Sequence, residues 1–459
     1  MTRYALKPVP EPATFSQLPT PVIPGNVMHQ RLEKVLAAMV RDSLDYLVVY
    51  ADKEHGANFE YLAGFIPRFE EALLVVNAKG SLTYIMGNEN LKLVPFARNP
   101  GACLHAPVFS LPNQPMDNDK PLAELLAECG LTGQSRTGVV GWKLFTGRDG
   151  AQPFDVPAFI LDAVSVASGG RRNVSNVTSL FISPAYGVRC RNSASEVAFY
   201  EYGANLASTN VLNALNAIEI GKTEKEIGHL LASSGQPNNV IMIAATGERF
   251  AHASLYPGDK TIHRGDKFSL TVGFKGGLTS RAAYVVATAE ELPENVADYL
   301  SRVATPYYHA VVTWLETLRT GITGGELYQA VERVLPKKTA GWHLNPGHLV
   351  ADEEWLCSPV WENSTIRLES GMLFQIDIIP AVKGYGGSSI EDTVGLADAA
   401  LRQELAERYP QVWQRMQARK RYVTEVLKIR LAEEVVLLSN TVGYMRPFLL
   451  DKTRALVKA

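Results

Sequence analysis

"GDKFSLTVGFKGGLTSRAAYVV", residues 265–286, reads as two strands joined at a glycine turn. The second strand opens with Arg281, and no carboxylate follows Asp266 within the hairpin. Further along, "SGMLFQIDIIP" (370–380) places Asp377 inside an apolar strand, and "GGSSIEDTVGLA" (386–397) does the same for Glu391. A buried carboxylate costs several kcal/mol unless it is paired or ligated. Two such acids in successive strands therefore point to a shared cavity rather than to strand ends in water. Strand alternation puts Glu391 and Asp392 on opposite faces, so one of them turns inward.

Around this region the chain divides in two. The 459 residues exceed one ordinary core. Residues 1–178 alternate helix-like stretches ("RLEKVLAAMVRDSL", "PAFILDAV") with short buried-strand runs ("YLVVY", "EALLVV", "LTYIMG"), the pattern of an α/β domain. Residues 179–459 begin with a long helix capped at Ser193 or Ser195. A Gly turn, Thr cap, Glu and helix then occur twice, in "IGKTEKEIGHLLASSG" and "TGITGGELYQAVERVL", each followed by strands. This spacing suggests an internal duplication. The expected class is α+β overall.

Hydrophobic residues make up 46% and charged residues 20%, an ordinary soluble balance. A formal net charge of −2 gives no basic field for nucleic acid and no polybasic membrane patch. The Pro-rich start lacks the apolar core of a signal peptide and reads as an extended surface arm. No apolar run is long enough to cross a bilayer. The four cysteines, Cys103, Cys129, Cys190 and Cys357, form no CxxC pair, which argues against disulfides and zinc-thiolate chemistry and fits a reducing cytoplasm.

Histidines supply the remaining chemistry. "ATGERFAHASLYPGDKTIHRGD" (245–266) contains His252, in a loop beside small residues, and His263, in a turn beside Arg264 and read as solvated. "HLNPGHLV" (343–350) contains His343 and His348.

In this order the pieces resemble the creatinase, prolidase and methionine aminopeptidase family, the pita-bread fold. "IHRGDKFSLTVGF", "NPGH", "ESGMLFQID" and "SSIEDTVGLA" look like four of its C-terminal motifs. "NFEYLAGF" (58–65) looks like a motif of the creatinase/prolidase N-terminal domain. The resemblance covers nearly the whole chain and implies a C-terminal pita-bread domain (179–459) after a creatinase/prolidase-type α/β domain (1–178). Family peptidases hold two metal ions with Asp, Asp, His, Glu and Glu. Here His348 matches the ligand histidine, Asp377 the first Glu and Glu391 the second. The first Asp position falls on Thr271, and the second on Arg281 or Ala282. The family's second histidine has no counterpart near Trp355, and its arginine before "IED" is Ser389.

Two dications a few Å apart need bridging carboxylates. His348, Asp377 and Glu391 would hold at most one divalent ion, weakly, and an inward Arg281 would oppose even that. The leading expectation is a metal-free pocket with no cofactor, in which Arg281 pairs with Asp377 or Glu391 or holds a substrate carboxylate. By resemblance to creatinase, His252 serves as general acid/base for hydrolysis of a C–N bond in a small nitrogen compound. Asp377 and Glu391 grip the substrate or orient water, with His348 and Thr271 lining it. The alternatives are an Xaa-Pro metallopeptidase with a reduced metal site and a non-catalytic pita-bread binding protein. The family's usual state implies a homodimer.

Overall fold

The computed structural model describes residues 4–16, 18–114, 116, 119–147, 153–232, 234–252 and 256–459, the side chain of His252 excepted. Two units emerge. One comprises Ile23–Arg189, and the other joins Cys190–Ala459 to the arm ending at Val22. The arm contributes β1 (Tyr4–Pro8), which lies antiparallel to the last strand of the chain.

The Ile23–Arg189 unit is an α/β domain. Its strands are β2 (Tyr46–Ala51), β3 (Ala72–Asn77), β4 (Leu82–Met86), β5 (Ala102–His105), β6 (Thr137–Val140) and β7 (Val174–Asn176). They form one mixed sheet in the order β5-β4-β3-β2-β6-β7. The central strands are wholly buried along Leu47–Val49 and Leu73–Leu74, which explains their unbroken apolar runs. Helices Gly25–Arg41, Leu122–Glu128 and Ala158–Ala167 complete the unit. "NFEYLAGF" forms a short helix, Ala57–Ala63, ended by Gly64 at φ 81°.

In the second unit, β8 (Ile243–Thr246), β9 (Lys267–Phe274) and β10 (Gly277–Tyr284) precede β11 (His348–Leu349), β12 (Leu373–Gln375), β13 (Ser389–Glu391), β14 (Thr393–Leu396), β15 (Val435–Leu437) and β16 (Arg454–Lys458). They form two four-stranded sheets, ordered β13-β10-β9-β8 and β11-β12-β14-β15, besides the β1–β16 ladder. The duplicated phrases are structurally alike. Thr223 with Glu226 and Thr323 with Glu326 each form a reciprocal capping box that opens a helix. A third box, Ser193 with Glu196, starts the helix Ala194–Ala217. That helix lies close on the β9–β10 hairpin, where a Cβ at Gly203 would overlap the Lys275 carbonyl. The small residues along this helix face allow that approach. The C-terminal segment packs inward, with Tyr444 and Phe448 buried.

The hairpin turn is only Lys275–Gly276, with Gly276 at φ 96°. This short turn pairs Phe274 with Gly277 and Thr271 with Ser280. Everything that follows at the site depends on that register.

Candidate active site

Register determines which side chains share a face. Thr271 pairs with Ser280, and Ser280 pairs in turn with Glu391, while Ser269, Ala282 and Ser389 continue the same face. Thr271 Oγ1 donates to Ser280 Oγ at 3.0 Å. Ser389 Oγ lies 3.1 Å from both Ser280 Oγ and Glu391 Oε1. A buried row of hydroxyls thus ends on a buried carboxylate.

The other side of the site comes from the second sheet. His348 in β11 is fully buried beside β12, and Asp377 follows two residues after that strand ends. His348 Nδ1 lies 3.1 Å from the Leu349 carbonyl, which makes Nδ1 the protonated nitrogen. Nε2 then faces two acids, with Glu354 Oε1 at 3.0 Å and Asp377 Oδ2 at 3.8 Å. Trp355 stacks on the imidazole with ring centroids 4.0 Å apart.

The electrostatics follow from burial among like charges. Burial, then Asp377 and Glu354, push Glu391 well above the usual carboxylate range, against the pull of Ser389 and Arg281. Burial pushes Asp377 up to about 6, with Glu354 adding and His348 opposing. Burial alone would push His348 down, but Glu354, Asp377 and the Leu349 carbonyl outweigh it and hold the imidazole above its ordinary value. Among the described residues, no lysine or arginine forms an ion pair with Glu354, Asp377 or Glu391. Asp377 Oδ1 is buried without a hydrogen-bond partner, and His348 Nε2 is satisfied only by Glu354.

Arg281 is not part of this buried cluster, contrary to the sequence expectation. It pairs across the sheet with Leu270 and Ile390, so its side chain emerges on the opposite face. There Nη2 donates to Asp392 Oδ2 at 2.6 Å and to the Thr441 carbonyl. Nη1 donates to the Ser280 and Glu391 carbonyls, and Nε to that of Tyr444. All its donors are used, which leaves none for a substrate carboxylate. Asp392 Oδ1 also accepts from Thr441 Oγ1 at 2.8 Å.

The structure therefore brings together Thr271, His348, Asp377 and Glu391. His252 closes a short 3-10 turn, Gly247–His252, but its side chain and residues 253–255 lie outside the described residues. His263 is largely exposed, as expected. Sequence reading missed Glu354, one of several acids in the polar run "ADEEW", and Ser280, whose role depends on the turn length. It also missed the buried Tyr307, whose hydroxyl accepts from the Ile390 N–H at 2.7 Å.

A two-ion centre does not fit these residues. Thr271 stands at the first aspartate position and presents a neutral hydroxyl bonded to Ser280, and neither Arg281 nor Ala282 supplies the second carboxylate. Among the described residues no group of three or more His, Cys, Asp or Glu is arranged to hold a metal ion. His348 Nε2 and the unpartnered Asp377 Oδ1, with Glu391 or Glu354, have the chemistry for one ion after side-chain movement.

Residues 202–397 match the Metallopeptidase family M24. No curated protein matches the chain. Among solved structures, an Xaa-Pro dipeptidase from Bacillus anthracis is similar over 81% of this chain and 96% of its own, at 17% identity and a TM-score of 0.60. A prolidase from Pyrococcus horikoshii OT3 is similar over 80% of this chain and 95% of its own, at 18% identity and a TM-score of 0.62. An X-Pro aminopeptidase from Thermotoga maritima MSB8 is similar over 80% and 95%, at 15% identity and a TM-score of 0.61. Such identities speak to the fold alone. With the ordered motifs and the duplicated capping-box helices, these neighbours give the chain the pita-bread fold, and residues 202–397 within it are similar to the M24 metallopeptidases.

Proposed function

We propose that this chain hydrolyses a C–N bond in a small nitrogen compound carrying a positive charge, without a two-ion centre. One observation carries the reading: Glu354 and Asp377 flank a single buried imidazole, the buried Glu391 is within electrostatic reach of both, and none of the three acids forms an ion pair with a lysine or arginine among the described residues. Such a cluster is relieved by a cation, and a substrate ammonium or amidinium group supplies one. Thr271, Ser280 and Ser389 form the neutral hydrogen-bonding row that ends on Glu391. His252 moves the proton, as its place before β9 and the resemblance to creatinase suggest. A cytoplasmic homodimer belongs to the same reading, the dimer from family resemblance and the location from the sequence. Among the described residues no helix is long and apolar enough to cross a membrane.

A second reading is favoured by the unpartnered Asp377 Oδ1 beside His348 and by the likeness to an Xaa-Pro dipeptidase and an X-Pro aminopeptidase. It is an Xaa-Pro peptidase whose His348, Asp377 and Glu391 hold one divalent ion. The ion would supply Lewis-acid polarisation of the scissile carbonyl. In this reading the Leu349 carbonyl orients His348 through Nδ1, Glu354 yields Nε2 to the ion, and the hydroxyl row positions the substrate.

Elemental analysis of the purified protein, paired with hydrolysis of small amidino and amino compounds and Xaa-Pro dipeptides before and after chelation, separates the two. Turnover that survives chelation and disappears in His252→Ala, with circular dichroism unchanged, supports the first. One stoichiometric ion whose removal ends turnover establishes the second. Two stoichiometric ions would overturn both, and full activity in His252→Ala would remove that residue from the mechanism.

A further inference from the structure

Cys190 and Cys357 are 167 positions apart in sequence, yet their sulfurs are in contact at 3.8 Å. Both side chains are buried, with 1% and 5% exposure. Cys190 precedes a segment fastened to the start of β12, where Asn192 donates through its backbone N–H and its side chain to the Gly371 carbonyl. Cys357 is bonded to the strand that carries the site histidine. The Leu349 N–H donates to the Cys357 carbonyl at 2.6 Å, and the Leu356 N–H returns to the Leu349 carbonyl at 2.9 Å. The loop between these pairs carries Glu354 and Trp355, the two side chains that hold the His348 ring.

We propose that Cys190 and Cys357 form a redox-responsive pair whose disulfide fastens the His348 hairpin to the segment leading into the helix Ala194–Ala217. Sulfurs already in van der Waals contact have only a short approach left to the bonding distance of about 2.0 Å. The oxidant is a low-molecular-weight disulfide acting by thiol–disulfide exchange. The thiolate of one cysteine attacks it and releases one small thiol, and the second cysteine then displaces the other. One S–S bond forms and one breaks, two protein sulfurs are oxidised, and both protons leave on the released thiols. Because the pair is buried, exchange requires local opening of the hairpin and is slow compared with that of an exposed thiol. Once formed, the bond restrains the loop bearing Glu354 and Trp355. This inference goes beyond the proposed hydrolase activity and does not depend on it.

The test uses the full chain equilibrated over a series of oxidised-to-reduced glutathione ratios, quenched with acid and alkylated after denaturation. Two of the four thiols should be lost together, with a cross-linked peptide pair containing Cys190 and Cys357. Hydrogen exchange at Leu349 and Leu356 should slow in the oxidised form. Cys190→Ser and Cys357→Ala should each keep their remaining three thiols, whereas Cys103→Ser should still form the bond. Retention of four thiols at the most oxidising ratio, or a cross-link involving Cys103 or Cys129, would overturn the proposal. Peptide mapping of the unmodified protein decides this even if a variant folds poorly.

Discussion

The Arg281 guanidinium donates to Asp392 Oδ2 at 2.6 Å on the sheet face opposite Glu391, although Glu391 and Asp392 are sequence neighbours. The same arginine holds the carbonyls of Ser280, Glu391, Thr441 and Tyr444. One cation thus ties the site strands β10 and β13 to the C-terminal segment from behind. Arg281→Met leaves a buried carboxylate unpaired and should destabilise this unit by about 3–5 kcal/mol. Arg281→Met combined with Asp392→Leu should cost less than Arg281→Met alone, since it removes both charges. Urea unfolding followed by Trp fluorescence checks the order. A double variant as unstable as the sum of the singles would show that the pair is not the cause.

Adding carboxylates to the hydroxyl row tests whether its neutrality excludes metal ions. Thr271→Asp with Ser280→Asp places two acids on the face they share with Glu391, opposite His348 and Asp377. The variant should be less stable than the parent without metal and should bind at least one additional divalent ion, measured by elemental analysis. Added Mn²⁺ at about a hundred times its dissociation constant should restore about 2.7 kcal/mol, while the parent chain gains much less. Equal metal uptake by both proteins would mean that the hydroxyl row does not exclude the second ion.

What the sequence discloses here, and what it hides, follows a physical division. Asp377 and Glu391 are legible because a carboxylate inside an apolar strand is anomalous at any distance from its partners. The capping boxes at Thr223 and Thr323 are legible because they are local. The direction of Arg281 is not, because it depends on whether the hairpin turn has two residues or more. A two-residue turn pairs Thr271 with Ser280 and sends Arg281 to the far side. Glu354 looks like one of several solvated acids until the loop path brings it to His348. The Cys190–Cys357 contact and the β1–β16 ladder join residues too far apart in sequence for local pattern to signal.

Asp377 should give the unit an unusual pH dependence. Burial lifts its carboxyl from the ordinary 3.8 to about 6, so the folded state holds that proton more tightly than the unfolded state does. The stabilisation is full below the unfolded value and is lost as pH rises through about 6, a change on the order of 3 kcal/mol. Glu391, raised in the same direction, extends the loss to higher pH. Asp377→Asn should therefore flatten the profile, gaining on the parent at pH 8 relative to pH 4. Thermal unfolding across that range measures it, and parallel profiles would show that Asp377 is not held in its protonated form.

Glu354 acts on the same imidazole with a distinguishable pH signature. His348 sits above its ordinary pKa although burial alone would lower it, and Glu354, 3.0 Å from Nε2, is foremost among the groups that reverse the effect. A raised histidine stabilises the fold fully below its unfolded value near 6.5 and loses that contribution as pH rises through the folded value. Glu354→Gln keeps the shape but removes the charge, so His348 should then titrate below its present midpoint. The loss of stability, about 1.5–3 kcal/mol for a charged hydrogen bond, should be seen at pH 6 and largely vanish at pH 9. Trp355 provides a local report, since its indole stacks on the ring that changes charge. A fluorescence transition present in the parent, shifted to lower pH in Glu354→Gln and absent in Trp355→Phe would assign the titration to His348. A transition that ignores Glu354→Gln would show that the acid only packs against the histidine, leaving Asp377 as the group that holds its proton.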